Sequence, residues 1–77
     1  MTEKIGAKRL AIFRNRLKSF LDDGYTVIVK SEQVFMLFYK LQHKSNGSIV
    51  TFTVYLFRNY MIQKRDGRVV YKGEIIP

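Results

Sequence analysis

The sequence has no cysteine, no tryptophan, one histidine and one proline among 77 residues. Without cysteine there is no disulfide staple, no thiolate zinc site and no cysteine nucleophile. A lone histidine, His43, cannot make a usual zinc site, and its place beside a predicted hairpin turn predicts that it is exposed. Acidic residues are also scarce: 6 Asp+Glu stand against 14 Lys+Arg, a formal net charge of +8. Uninterrupted apolar sequence is short. The longest run, Val34 to Tyr39, is far below the roughly 20 residues of a membrane-spanning helix. The first ten residues lack the apolar run of a signal peptide. These features predict a cytoplasmic protein with no membrane span. The length allows one small domain, residues 1–77, with a thin core.

What is present is patterned. A 47% hydrophobic fraction is ordinary for a globular domain and argues against disorder. Ile5 to Leu21 predicts a helix (about 5–22), because Leu10, Phe13, Leu17, Phe20 and Leu21 fall on one stripe at 100° per residue. Gly24 suits the left-handed position that ends it, with Asp22 and Asp23 in the turn. From Tyr25 the period becomes two. Strands are predicted at about 25–30, 34–43, 49–58, 60–65 and 68–72, with a turn at Ser31-Glu32-Gln33. Asn46-Gly47 and Asp66-Gly67 are strong two-residue hairpin signals. The predicted fold class is α+β: an N-terminal amphipathic helix packed on a bent four- to five-stranded antiparallel sheet.

A two-residue turn at Asn46-Gly47 would pair Leu41 with Phe52, Tyr39 with Val54 and Leu37 with Leu56 on one apolar face, the natural seat for the helix. The opposite face would pair Lys40 with Thr53, Phe38 with Tyr55 and Met36 with Phe57. Met36, Phe38, Tyr55 and Phe57 make a patch too apolar for a solvated face. Three arrangements account for it: closure of the sheet into a small barrel, a homodimer through the patch, or a ligand platform on which bases stack.

The cations are clustered. Lys4, Lys8, Arg9, Arg14, Arg16 and Lys18 follow one another along the helix with no acid among them. An ordinary solvated helix mixes signs, whereas this one repels itself, a cost that a polyanionic partner would offset. A second group, Lys64, Arg65, Arg68 and Lys72, surrounds the Asp66-Gly67 turn. There Arg65 and Arg68 would face each other, with Asp66 partly neutralising them. Either group could instead be a solvated face or edge kept soluble by charge. Ile5 and Ile12 fit the rim of the core stripe, or else an apolar contact for a protein partner or a membrane surface, the last being the weaker option because the best apolar stripe already faces the sheet.

No phosphate-binding glycine loop, nucleophile elbow, metal-ligand cluster or acid–base carboxylate pair is present, so no catalytic residue, metal or cofactor is expected and an enzyme is not expected. The expected function is nucleic-acid binding (DNA or RNA) of low sequence specificity. The phosphate contacts would come from Lys4, Lys8, Arg14, Arg16, Lys18, Lys64, Arg65 and Arg68, with a homodimer expected. Two rivals are an adaptor or inhibitor of the phage or mobile-element type that binds an acidic protein surface, and a structural subunit of a homo-oligomer.

Overall fold

The computed structural model describes residues 2–76, with side-chain environments from residue 6 onward. Helix α1 spans Thr2–Asp22 and is followed by β1 (Tyr25–Glu32), β2 (Met36–His43), β3 (Ile49–Tyr55), β4 (Tyr60–Arg65) and β5 (Arg68–Gly73). The strands form one antiparallel meander in the order β1-β2-β3-β4-β5. The fold is α+β, and the helix covers one face of the sheet. β1 and β5 are opposite edges and do not pair, so the sheet does not close into a barrel. Closure needs an interior that side chains alone can fill. Here Phe13 and Leu17 of α1 fill the concave face instead.

The helix ends where the chain can leave it. The Asp23 N–H donates to Ser19 O and Phe20 O, and Gly24 takes φ +102°. A Cβ at Gly24 would also stand 3.0 Å from His43 Nε2. His43 is half-buried rather than exposed, and its ring is built into this junction. Nδ1 accepts the Ser45 N–H, leaving Nε2 to donate to Asp23 O at 2.9 Å. The Tyr25 ring meets the imidazole edge-on. One side chain thus ties the helix terminus to the β2–β3 loop.

That loop corrects the predicted register. It has four residues, Lys44 to Gly47, because Asn46 Oδ1 accepts the Ser48 N–H two residues on and only Gly47 takes a positive φ. The register is therefore Leu41 with Val50, Tyr39 with Phe52 and Leu37 with Val54, two residues from the expected one. A shift of two preserves which residues share a face, since side chains alternate with period two. The Asp66-Gly67 turn is as predicted: both residues have positive φ, and Arg65 faces Arg68.

Element ends differ in three places. Ser31 and Glu32 belong to β1, where the Tyr39 hydroxyl donates to the Glu32 carboxylate, and Val34 and Phe35 form the turn. β3 stops at Tyr55, and Leu56 to Asn59 make a turn in which Asn59 takes φ 50°. Leu21, expected in the core stripe, is exposed at the helix end.

The core lies between α1 and the concave face. Leu37, Tyr39, Leu41, Val50, Phe52, Val54 and Met61 point into it from β2, β3 and β4. Phe13 meets Tyr39 and Phe52 edge-to-face, each at 5.4 Å, and Phe20 meets Tyr25 and Phe52 at 5.3 Å. Such edge-on pairs are favoured by the ring quadrupole. The tail after β5 turns back, and Ile75 is buried against Asn59, whose Oδ1 accepts the Ile75 N–H.

Candidate nucleic-acid interface

Two outward surfaces carry the cations, one on each layer. On α1, Lys8, Arg14 and Lys18 are exposed, and Arg14 lies near enough to Glu32 of β1 to act on its carboxyl. Lys4 lies in the first turn of α1, and its side chain, like that of Ile5, falls outside the described residues. Ile12 is partly buried against the core, as a rim residue.

Arg16 is not free for a partner. Its guanidinium donates to Gln63 Oε1 at 3.4 Å and Ile76 O at 3.0 Å and lies 5.1 Å over the Tyr71 ring. It pins the C-terminal tail to α1. Arg9 is likewise structural: Nη1 donates to Leu56 O at 2.8 Å and to Phe57 O at 3.3 Å, fixing the β3–β4 turn beneath the helix.

The second cationic group divides. Arg65 lies opposite the buried Val50 and so shares the helix side of the sheet with Arg68. Arg65 and the helix-end residues Asp22 and Asp23 line one shallow depression. Asp66 makes no close ion pair with the arginines. Its carboxylate accepts the Ile49 N–H at 2.9 Å and the Ser48 hydroxyl at 3.1 Å. Lys64 lies opposite Thr51 and points to the other side, the outer face.

The outer face is uncovered by any described element. One row across it reads Lys40, Thr51, Lys64, Val69. The next reads Phe38, Thr53, Ile62, Lys72, and a third Met36, Tyr55, Tyr60. The rings of Tyr55 and Tyr60 lie 6.3 Å apart, and the Arg58 guanidinium sits 5.6 Å over Tyr55. Met36, Phe38 and Tyr55 therefore come together as the alternation predicts. Phe57 does not join them: it lies in the turn after β3 and packs edge-on against Phe35 at 5.4 Å. Tyr60 and Ile62, absent from the predicted patch, take its place. They flank the buried Met61 and so point outward.

Few of these charges are in close ion pairs. Among the described residues the one ion pair is Lys30–Glu32, at 3.8 Å on the β1 edge. Lys8, Arg14, Lys18, Lys64, Arg65 and Arg68 are in none. The hydrogen bond from Tyr39 holds the Glu32 carboxyl below its ordinary range, with Lys30 and Arg14 adding smaller contributions. Burial, helped by the same hydrogen bond, pushes the Tyr39 hydroxyl up to about 12. This pair lies at the end of β1 and serves packing.

No helix among the described residues is long and apolar enough to cross a membrane. Among them no group of three or more His, Asp or Glu side chains could hold a metal ion. No family model, curated protein or solved structure matches the chain.

Proposed function

We propose that the protein is a non-enzymatic nucleic-acid-binding module that holds its partner through phosphate contacts. The observation that carries this reading is the excess of cations: Lys8, Arg14 and Lys18 on α1 and Lys64, Arg65 and Arg68 on β4 and β5 form no close ion pair among the described residues. A fold that keeps like charges together without counter-charges is less stable for it, and phosphates relieve that repulsion. Phosphate contacts give affinity and steering with little sequence information. Binding should therefore weaken steeply as salt displaces protein from the counterion atmosphere. A mobility-shift titration of purified protein against DNA and RNA at low salt tests this. Retarded complexes that dissolve as salt is raised are expected; no shift with either nucleic acid overturns the proposal.

A second reading, an adaptor for an acidic protein surface, is favoured by a different feature. Val34, Phe35 and Phe57 are 74%, 68% and 40% exposed and cluster at one end of the molecule. Apolar side chains grouped at a surface mark protein contacts. A nuclease-treated pull-down decides it: a partner retained after digestion and lost in Phe35→Ser supports the adaptor, and loss of every partner on digestion removes it.

A further inference from the structure

The face of the sheet turned away from α1 is a two-sided problem. Sheets with one solvated side carry polar residues on that side. This one carries Phe38, Tyr55, Tyr60 and Ile62, all only half-buried. Interleaved with them are Lys40, Lys64 and Lys72. Within the described strands no acid points to this face: Glu32 shares a side with Leu37, and Asp66, in the β4–β5 turn, is tied to Ile49 and Ser48. Asp22 and Asp23 lie at the helix end, and Glu74 follows β5.

Charge decides between occupants. A second copy of the chain meeting this face about a two-fold axis would set Lys40, Lys64 and Lys72 against the same three lysines. A polyanion meets the same lysines favourably. Among polyanions, a duplex offers phosphates but keeps its bases stacked, so the rings would have nothing to hold. A single strand offers both phosphates and unstacked base faces.

The geometry fits that division of labour. Neighbouring strands lie about 4.8 Å apart and successive same-face residues about 7 Å apart. The Lys40–Lys64 row therefore runs alongside the Phe38 row at about 7 Å, with Tyr55 and Tyr60 one row further on. Thr51 and Thr53 on the central strand are shorter than their neighbours Lys40, Phe38, Lys64 and Ile62 on β2 and β4. Arg58 sits over one face of the Tyr55 ring and adds a further cation.

We propose that this outer face is a platform for single-stranded nucleic acid, in which bases stack on Phe38, Tyr55 and Tyr60 while Lys40, Lys64 and Lys72 hold the phosphates. This site assignment rests on the nucleic-acid reading above, and the test separates the two.

The chain has no tryptophan, so its emission reports tyrosine. Purified protein is titrated with oligodeoxythymidine and with a duplex of equal length, following tyrosine emission and the anisotropy of the labelled DNA. The expected result is quenching by the single strand. Tyr55→Phe/Tyr60→Phe should bind equally but lose the quench, because phenylalanine still stacks. Lys40→Glu/Lys64→Glu should weaken single-strand binding at least tenfold, whereas Lys8→Glu/Lys18→Glu weakens single strand and duplex alike. Lys64 is exposed and Lys40 half-exposed, and circular dichroism confirms that the variants fold. Single-strand binding with undiminished tyrosine emission, untouched by Lys40→Glu/Lys64→Glu, overturns the platform and leaves the nucleic-acid reading standing. A concentration-dependent dimer in sedimentation equilibrium that Lys40→Glu/Lys64→Glu abolishes overturns it too, by giving the face to a second copy. No binding to either DNA at low salt overturns both.

Discussion

Gly24 is the residue on which the helix-to-sheet junction turns. Its φ of +102° is costly for any L side chain, and a Cβ there would press on His43 Nε2 at 3.0 Å. Gly24→Ala is expected to lower stability by about 1–3 kcal/mol, read from urea denaturation. The Gly24 turn was legible because a left-handed glycine is a familiar helix terminator. The engagement of His43 was not, because it depends on a loop whose length the Asn-Gly signal misjudged. Phe13 and Phe52 are the largest fully buried side chains, and the Phe13 ring meets Tyr39 and Phe52. Phe13→Ala should cost about 3–5 kcal/mol, against a total of about 4–11 kcal/mol for a chain of this length. The variant is expected to be partly or wholly unfolded by circular dichroism at room temperature.

The Tyr39–Glu32 hydrogen bond sets a pH window at the same scale. The Tyr39 hydroxyl is raised to about 12, above its unfolded value. Its contribution to stability is thus complete below the ordinary tyrosine value and is lost as pH rises through about 12. Glu32 is lowered, so its contribution is present above the ordinary carboxyl value and is lost as pH falls through the lowered one. A phenolate absorbance titration should show one ionisation near pH 12 that Tyr39→Phe removes; identical curves for the two proteins would contradict the assignment.

At the scale of elements, α1 carries the clearest conflict between folding and function. Lys4 and Lys8 are four residues apart, as are Arg14 and Lys18, and like charges at that spacing repel. Lys8→Glu removes one such pair and places a negative charge nearer the positive end of the helix dipole. It is expected to stabilise the fold by about 0.3–1 kcal/mol while weakening nucleic-acid binding. Opposite signs in urea denaturation and in binding would mark the lysine as kept for its partner. The existence and order of the elements were legible, because a 3.6 period gives way to a period of two at Tyr25. Which residues of β2 and β3 up to Tyr55 share a face was legible too. The β2–β3 register was not, since it depends on Asn46 bonding to Ser48 rather than turning at once. The loss of Phe57 from the sheet face has the same kind of origin. Tyr55 pairs with Tyr60 and closes the next hairpin before Phe57 is reached.

At the scale of the whole molecule, two basic surfaces flank one core. The sequence pattern located both cationic groups but could not tell that β4 alternates Lys64 outward and Arg65 toward the helix, because that needs the core side of β4 to be known. Nor could it show that Arg16, one of the residues expected to meet phosphate, holds the C-terminal tail through Ile76 and Tyr71. Arg16→Ala is accordingly expected to loosen the tail and lower stability, with little change in the salt dependence of binding. The apolar surplus on the sheet, which allowed a barrel, a dimer or a platform, is left open on one side by a meander whose edges never meet.

The most direct test of the central claim is the salt dependence of binding to a labelled single strand, measured by anisotropy. If several phosphates are neutralised by unpaired lysines and arginines, log K falls linearly with log salt, with a slope of about −0.7 per contact. A slope steeper than about −2 is expected, corresponding to three or more contacts. A flat dependence, or no binding at the lowest salt, would contradict it.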